Sequence, residues 1–325
     1  MRGEVRSRLL SRRLSPAEAG TAPAELGPEV LSAPRPMPRW KRRVLVTGAS
    51  GMLGTDLVPV LAGAGCEVFA RPKSDLDVTS AESVARAFRD IRPEVVVNCA
   101  AFTRVDACET DEAAFAVNAG AVEILAGQCL THSARLVQIS TDFVFDGSKT
   151  SPYREEDAPA PLSAYGRSKQ EGEQAALRVP TGLVVRASWL FGRGGWNFVE
   201  AIRKQIDDGR RRLAVVQDQR GRPTSTTDLS EAILALLERA AVGIYHFANR
   251  GEVSWLEFAR EIVALSGFPE VEVAPIDSAT LGRPARRPAY SVLDTGKYER
   301  VTGRSIRHFR EPLAEYLAGR EIPGA

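Results

Sequence analysis

Short apolar runs alternate with amphipathic stretches along most of this chain. The run Val44-Leu45-Val46 leads into a glycine-rich turn, a helical stretch over 52–64 and a second apolar run over 67–70. A strand, a helix and a second strand in this order predict a parallel βαβ unit. The alternation continues with predicted helices over 81–90 and 112–132 and predicted strands over 95–98 and 135–140.

The predicted strands are apolar at nearly every position, which is typical of a parallel sheet that helices cover on both faces. We therefore predict an α/β fold with a doubly wound, Rossmann-like parallel sheet. Beyond a strand predicted over 183–188 the chain is richer in Arg, Gly and Pro and its periodicity weakens, which predicts a smaller C-terminal substrate-binding lobe. The predicted division is a leader over 1–40, a dinucleotide-binding domain over 41–188 to which 225–248 return, and the substrate-binding lobe over 189–224 and 249–325.

Composition favours an ordinary globular enzyme. The 325 residues, 44% of them hydrophobic and 26% charged, suffice for a sizeable core. No uninterrupted apolar run approaches the roughly 18 residues of a membrane span, and no signal peptide is evident, so we expect a cytoplasmic protein without a membrane partner. The four cysteines have no CxxC spacing and the three histidines are scattered, which argues against a disulfide frame or a zinc site. We predict no metal ligands.

The positive charge belongs to the leader. The whole chain carries a formal net charge of +2, but residues 1–43 alone hold ten Lys and Arg against four Glu. This segment is rich in Arg, Pro and Ala and has no sustained hydrophobic period, which is typical of disorder. A targeting arm or a nucleic-acid-binding tail is one interpretation. We favour a dispensable extension that precedes Met37, and therefore expect no nucleic-acid partner.

A glycine-rich turn follows the first predicted strand. Gly48, Gly51 and Gly54 are spaced as GxxGxxG at the start of the first helix. Glycine lets the backbone approach a pyrophosphate, and the free N–H groups of a helix start bind anions, so the turn predicts a dinucleotide site. Arg71 and Lys73 follow the second strand, where NAD-binding proteins commonly have an acid. These cations suit the 2′-phosphate of NADPH, although two solvated surface cations, and hence NADH, are the alternative.

A hydroxyl, a phenol and an ammonium group occur in the order that carbonyl reduction needs. Thr141 follows the strand predicted over 135–140, and Tyr165 and Lys169 open a helix. Side chains four residues apart share one helix face, so the phenol and the ammonium can point at one cofactor. Tyr165 would protonate the oxygen of a reduced keto group, Lys169 would favour its phenolate, and Thr141 would polarise the carbonyl. A Tyr and a Lys at this spacing alone are an ordinary surface pair.

Together these motifs resemble the extended short-chain dehydrogenase/reductases and, within them, the dTDP-4-dehydrorhamnose reductase family. The resemblance covers nearly everything after about Arg43. The matching segments are 44–54, 98–103 with Val105-Asp106, 117–119, 140–145, 165–173, 186–192, Asn197-Phe198, 218–224, Arg287-Pro288 and 291–294.

The resemblance carries roles to individual residues. With the glycine turn it implies a cofactor site made of Gly48, Ser50, Gly51, Met52, Leu53, Gly54, Arg71, Asp77, Val78, Ala101, Thr103, Tyr165 and Lys169. It implies a substrate site made of Thr141, Asp142, Trp189, Asn197, Arg222 and Arg287. Trp189 is alternatively a core aromatic, and the two arginines either pair with the substrate diphosphate or are solvated. Asn118 is either a helix-start cap or a backbone support. Mg²⁺ is allowed by the resemblance alone.

The activity that the resemblance implies is reduction by NADPH of the 4-keto group of dTDP-4-dehydro-L-rhamnose to dTDP-L-rhamnose. One alternative is a sugar-nucleotide epimerase or dehydratase that retains NAD. Another is a non-catalytic regulatory subunit of the same fold, similar to the methionine adenosyltransferase β-subunit. The nucleotide sugar is the expected partner molecule, and both a monomer and a homodimer remain open.

Overall fold

The computed structural model describes residues 41–319, so the predicted leader over 1–40 lies outside the described residues. The strands are β1 (Arg43–Thr47), β2 (Glu67–Arg71), β3 (Val95–Asn98), β4 (Arg135–Thr141), β5 (Leu183–Ala187), β6 (Leu190–Phe191), β7 (Arg212–Val216), β8 (Arg220–Gly221), β9 (Thr224–Ser225), β10 (Gly243–Phe247), β11 (Val253–Ser254) and β12 (Glu272–Ile276). The helices are α1 (Met52–Gly63), α2 (Ala81–Ile91), α3 (Ala113–Phe115), α4 (Ala121–His132), α5 (Ala164–Leu177), α6 (Phe198–Asp207), α7 (Thr226–Glu238), α8 (Trp255–Leu265), α9 (Ser278–Leu281), α10 (Gly296–Thr302) and α11 (Arg310–Ala318).

Six strands form one parallel sheet in the order β10-β5-β4-β3-β1-β2. Helices cover both faces, because successive side chains of a strand point to opposite sides. Val44 and Val46 of β1 pack in a core cluster with α1 and α7, whereas Leu45 packs in a second cluster with α2 and α4. Full burial of each such side chain stabilises the fold by about 1.5–3 kcal/mol. The predicted doubly wound fold is confirmed.

The strand order reverses at β1. Its neighbours are β2 on one side and β3 on the other; the chain passes from β1 to the edge strand β2, then crosses to β3 and continues outward to β4, β5 and β10. Connections that leave in opposite directions open a crevice at the carboxyl ends of the strands, where doubly wound proteins bind ligands. Thr47 ends β1 there, paired in register with Arg71 and Asn98. The fold therefore predicts the cofactor position independently of the glycine motif.

The stretch Ala113–His132 is one helical run interrupted by a π-helical turn at Ala116–Gly120. By length and composition it could span a membrane, with a mean hydropathy of 1.4. Its buried Val122, Leu125 and Cys129 nevertheless pack against residues of α2 and β4 in the second core cluster. The apolar side of this helix is therefore part of the core.

A separate core lies among the C-terminal elements. β7 and β12 pair in parallel, and α6, α8 and α11 contribute buried residues such as Ile202, Phe258 and Leu313 to one cluster. β10 belongs to the large sheet, where it pairs with β5. The cluster around β7 and the large sheet thus provide two surfaces between which a substrate can bind.

Candidate functional site

Two glycines of the turn after β1 lie too close to neighbouring backbone for either position to carry a side chain. Gly48 has a φ of +62°, and a Cβ there would lie 2.6 Å from the backbone nitrogen of Ala100. A Cβ on Gly54 would lie 2.6 Å from the backbone of Ala49, so α1 can begin directly against the turn. A larger residue at either position would move the backbone that a dinucleotide approaches. These two glycines fit the predicted cofactor.

The amino end of α1 is open to an anion. No side chain caps this helix, whose N-cap is Gly51, so its first N–H groups and the positive end of its dipole are available. Ser50 and Gly51 are exposed and Met52 is partly exposed. Leu53 differs, because its side chain is buried in the core cluster of β1. Only its backbone could therefore serve a cofactor.

Three further predicted cofactor residues follow β2. Arg71 is partly buried, and its carbonyl oxygen accepts a hydrogen bond from Ala49 N at 3.2 Å, which holds the arginine beside the glycine turn. The Asp77 carboxylate is exposed and accepts hydrogen bonds from the backbone and side chain of Thr79, which lower its pKa. Val78 is buried in the second core cluster. Arg71 thus lies beside the glycine turn, and its contact with a 2′-phosphate stays a prediction.

Asn118 holds the segment after β3. Its Oδ1 accepts from Phe102 N at 2.9 Å, and its Nδ2 donates to Phe102 O and to Ser168 Oγ, each at 3.0 Å. It is buried inside the π-helical turn, a feature that often marks functional sites. Ala101 and Thr103 flank Phe102 and are exposed. Asn118 is therefore the backbone support of the two alternatives, and it fixes these neighbours relative to α5.

A buried chain of hydrogen bonds crosses the carboxyl ends of the strands. Thr47 donates to Asn98 at 2.6 Å, Asn98 donates to Gln138 at 2.8 Å, and Gln138 donates to the carbonyl oxygen of Ile139 at 2.8 Å. The same carbonyl accepts from Lys169 Nζ at 2.6 Å. Burial lowers the pKa of Lys169 to about 8, although the nearby charge of Glu173 offsets this in part. The ammonium is held in place beneath the crevice.

Thr141 and Tyr165 meet at the end of β4. The ring of Tyr165 packs edge-to-face on Phe143 with centroids 5.8 Å apart, which brings its phenol next to Thr141. α5 can approach this closely because Gly166 has no side chain; a Cβ there would lie 2.2 Å from Phe143 O. Burial raises the pKa of Tyr165 above its usual range, and the nearby Thr141 hydroxyl offsets this only in part. The phenol therefore keeps its proton at neutral pH.

The Nζ of Lys169 is hydrogen-bonded to Ile139 O. The role of Lys169 toward the phenol of Tyr165 stays a prediction. In the reductive direction a protonated phenol is the required state, so the raised pKa suits a proton donor.

Asp142 lies directly behind this pair and is itself buried. Its Oδ1 accepts from Thr141 Oγ1 at 3.1 Å and its Oδ2 accepts from Ser291 Oγ at 2.5 Å. Burial raises the pKa of Asp142 to about 7, despite both hydrogen bonds. Ser291, Asp142 and Thr141 thus form one line of hydrogen-bonded groups, which ends next to Tyr165. Asp142 orients Thr141 from the side away from the crevice.

A cavity of about 760 Å³ begins beside this line. Phe143, which packs on Tyr165, lines one end, and residues of α6, β7 and the segment 278–287 line the rest. Trp255 lines the cavity, whereas Trp189 stacks behind it with ring centroids 3.6 Å apart. Trp189 has a left-handed φ of 50° and contacts Gly221. The aromatic wall is thus Trp255, with Trp189 as its support.

The predicted arginines occupy two different environments. Arg287 lines the cavity, but its guanidinium forms two hydrogen bonds of 3.0 Å with Asp106, which also pairs with Arg283. Burial would raise the pKa of Asp106, but these arginines hold it at about 2. Arg222 donates to Leu293 O at 3.0 Å, and its buried Nε has no partner among residues 41–319. Neither arginine is solvated.

Asn197 acts inside the chain. Its Oδ1 caps α6 by accepting from Glu200 N, and its Nδ2 donates to Gly192 O and Gly195 O at 3.1 and 3.3 Å. The loop that it closes lies against Met52 at the start of α1. Asn197 therefore positions a loop beside the cofactor crevice, and direct substrate contact stays a prediction.

Four polar residues of the site escaped the sequence reasoning. Gln138 and Ser291 belong to the buried hydrogen-bonded lines, and Asp106 ties the segment after β3 to Arg287. Arg286 lines the cavity and forms no ion pair within the described part of the chain. The family-like segments that contain Asp106 and Ser291 were the available signals. In residues 41–319, no group of three or more His, Cys, Asp or Glu side chains could hold a metal ion.

Comparison with known proteins shows which family the chain belongs to. The family model described as RmlD substrate binding domain matches residues 42–321. The chain belongs to this family. Its relatives include a dTDP-4-dehydrorhamnose reductase of Streptomyces griseus, 43% identical over 90% of this chain and 99% of that protein. The resemblance to the dTDP-4-dehydrorhamnose reductases inferred from sequence is therefore confirmed for this RmlD family member.

Two further relatives bear on the chemistry. A dTDP-4-keto-6-deoxy-D-glucose reductase of Streptomyces niveus is 41% identical to this RmlD family chain over 85% of it and 96% of the relative. The crystal structure of a Bacillus anthracis dTDP-4-dehydrorhamnose reductase in complex with NADP superposes with a TM-score of 0.82. It is 35% identical, and the match covers 86% of this chain and 100% of that one.

Proposed function

We propose that this chain is an oxidoreductase that uses NADPH to reduce the 4-keto group of dTDP-4-dehydro-L-rhamnose to dTDP-L-rhamnose. The observation that carries the proposal is that α5 brings Tyr165 and Lys169 to the carboxyl end of β4, where Thr141 lies, in a chain 43% identical to a named dTDP-4-dehydrorhamnose reductase. The product class places the enzyme in nucleotide-sugar biosynthesis. We expect it to act in the cytoplasm, as a monomer or a homodimer.

NADPH, when bound, supplies the hydride that the keto carbon receives. Tyr165 donates the proton to the keto oxygen, and its raised pKa keeps that proton available at neutral pH. Thr141 donates a hydrogen bond to the same oxygen and stabilises the negative charge that develops there. Lys169, fixed on Ile139 O, presents its remaining N–H groups to the ribose next to the nicotinamide. Each group holds or moves a proton at a defined atom.

The charge of the crevice supports NADPH as the cofactor. Gly48, Gly51 and Gly54 with the uncapped start of α1 would hold the pyrophosphate, and Arg71 would neutralise the 2′-phosphate. The NADP complex of the Bacillus anthracis relative supports this choice. NADH stays the alternative that kinetics must test. Mg²⁺ is not needed for any of these contacts.

The cavity supports a nucleoside diphosphate sugar as the substrate. Arg283, Arg286 and Arg287 outnumber the one carboxylate, Asp106, that pairs with them, so about two positive charges remain for a diphosphate. Trp255 offers an aromatic face to the base. The sugar would then lie between the large sheet and the C-terminal core, which belongs to the predicted substrate-binding lobe. The exact sugar needs a substrate panel, because the Streptomyces niveus relative is named for a different one.

The direct test replaces Tyr165 with Phe. We expect turnover of NADPH with the 4-keto sugar to fall by about two to four orders of magnitude, because the proton donor is lost, while the Kd for NADPH changes little. Tyr298→Phe is the matched control, since it removes a phenolic hydroxyl from α10, outside the site. Near-normal turnover of the Tyr165 variant would refute the assigned role.

The same assay separates the alternatives. A reductase consumes one NADPH per sugar, whereas an epimerase or dehydratase that retains NAD changes the sugar without net loss of NADPH absorbance. A regulatory subunit would bind the nucleotide but show no turnover in wild type or variant. Stoichiometric consumption that depends on Tyr165 is the outcome that the proposal requires.

A further inference from the structure

A second cavity of about 750 Å³ lies at the amino ends of the sheet strands, opposite the crevice at their carboxyl ends. Its lining includes Arg43, Val95 and Arg135 at the amino ends of β1, β3 and β4, together with residues at the carboxyl ends of α2, α4 and α7. β4 connects the two edges, with Arg135 at its first position and Thr141 at its last. At roughly 3.3 Å per residue the strand separates this cavity from the catalytic hydroxyl by about 20 Å. It is therefore not part of the site described above.

The lining of this cavity is strongly cationic. Arg42, Arg43, Arg89, Arg92 and Arg135 contribute to it, with Glu94 as the acid among the lining residues. Glu94 pairs with Arg42 at 2.7 Å and accepts a hydrogen bond from the backbone of Arg43. The side chains of the other four arginines form no ion pair with residues 41–319. Four guanidinium groups around one cavity thus lack an anion.

Helix dipoles explain part of this charge. Each of the three helices that end here contributes about half a negative charge at its carboxyl end, and Arg89 in the last turn of α2 is placed to interact with one of them. The three ends together offset about one and a half positive charges. The helix ends therefore leave a surplus of positive charge on the arginines of this cavity.

Arg135 is the group that the helix ends do not satisfy. Its Nε and Nη2 are buried and have no hydrogen-bond partner within residues 41–319. Desolvation lowers the pKa of this guanidinium, which is the expected effect of a buried charge without a counter-ion. Charged donors left unpaired in this way are rare in native proteins unless an ion, a water or a ligand meets them. Arg135 therefore supplies a specific point of attachment for an anion.

We propose that this cavity binds a diphosphate-bearing small molecule of the nucleoside diphosphate class. The phosphates would accept from Arg135 and the neighbouring arginines, since guanidinium groups match phosphate oxygens in geometry. The exposed ring of His132, which packs on the buried Phe88 with centroids 5.4 Å apart, provides a surface for a base. The volume lies in the usual range for such ligands. The cavity would bind its ligand away from the reacting carbonyl.

The test counts binding sites for dTDP on the full chain preloaded with one equivalent of NADPH, by calorimetry at physiological salt. We expect Arg135→Gln to remove one site or to weaken it at least tenfold, because a charge-assisted contact is lost. Arg92→Gln, an exposed position, should weaken the same site without risk to the core. Arg86→Gln is the matched control, since Arg86 lies on α2 but does not line the cavity.

The difference in dTDP binding between wild type and Arg135→Gln tests the second site independently of the proposed function. Failure of the proposed function would remove the substrate site from every variant alike and leave this difference intact. Equal numbers of sites with equal affinities in wild type, Arg135→Gln and Arg92→Gln would overturn the inference. So would an equal loss in Arg86→Gln, which would indicate a general effect of net charge.

Discussion

Replacing Asp142 with Asn should change how the stability of the fold depends on pH. The carboxyl group is 2% exposed and is hydrogen-bonded to Thr141 and Ser291. Asn has nearly the same shape and can keep both bonds, one as acceptor and one as donor to the Ser291 oxygen. It cannot ionise. The variant therefore removes the titration of this one group with little change in packing.

The magnitude follows from the two pKa values. Asp142 has an ordinary pKa of 3.8 in the unfolded chain and a pKa of about 7 in the fold. Below the first value both states are protonated and the group costs nothing. As the pH rises toward the second value the unfolded chain ionises first, so stability is lost across this window. The full loss corresponds to about 4 kcal/mol above pH 7.

Urea unfolding of wild type and Asp142→Asn at several pH values measures this effect. We expect the variant to gain about 3 kcal/mol relative to wild type between pH 5 and pH 8. Asp146→Asn is the control, because hydrogen bonds with Ser148 and Tyr153 lower the pKa of Asp146 and its effect should be flat over this range. A wild-type-minus-variant difference that does not change with pH would refute the reasoning.

The same titration should appear in the kinetics. A protonated Asp142 can donate to Thr141 Oγ1, which leaves the Thr141 proton free for the keto oxygen. An ionised Asp142 instead accepts a hydrogen bond from the Thr141 hydroxyl, as in the observed 3.1 Å contact. We therefore expect wild-type kcat to fall as pH rises through about 7, where Asp142 ionises. The profile of Asp142→Asn should lack this step.

Three further changes test other parts of the site. Arg71→Glu should lower kcat/KM for NADPH by about 10- to 100-fold while Lys73→Gln changes it little; an unchanged cofactor preference would remove Arg71 from the site. Gly166→Ala forces a Cβ to within 2.2 Å of Phe143 O, so it should cost about 1–3 kcal/mol of stability and much of the activity, whereas Gly127→Ala, with nothing within 4 Å, should be tolerated. Asp106→Asn should cost about 1 kcal/mol and raise KM for the nucleotide sugar but not for NADPH; equal effects on both would contradict a role confined to the cavity.

The sequence was informative wherever a property repeats locally. The strand predicted over 95–98 is β3 as observed, and the helix predicted over 81–90 is α2 to within one residue. Continuous apolar runs identify strands covered on both faces, and a four-residue spacing predicts that Tyr165 and Lys169 share a helix face. The GxxGxxG spacing is also a local repeat, and it indicated the turn after β1.

Features that depend on a single residue or on distant segments gave no such signal. The π-helical turn at Ala116–Gly120 inserts one residue into the helix, and the pattern of apolar residues in the sequence does not reveal it. β12 has one buried residue out of five and contains Pro275, so it has neither alternation nor a long apolar run. Trp189 was expected at the substrate, but its left-handed backbone turns the ring behind Trp255.

Contacts across the chain explain the remaining omissions. Ser291 reaches Asp142 over a separation of 149 residues, and Arg287 reaches Asp106 over 181. A single serine, aspartate or arginine has no sequence pattern that predicts a partner so far away in the chain. The family resemblance included both segments, yet it could not say that they bond to each other.

The line from Ser291 to Tyr165 has a consequence for the protein while it is being made. Thr141 and Asp142 leave the ribosome long before Ser291, which follows Asp142 by 149 positions. Until that serine and the neighbouring Arg287 are available, the buried carboxyl of Asp142 lacks one partner and Asp106 lacks its guanidinium. A nascent chain, or one cut short by a stop codon before about residue 290, would hold every catalytic side chain and still be unable to assemble a working enzyme.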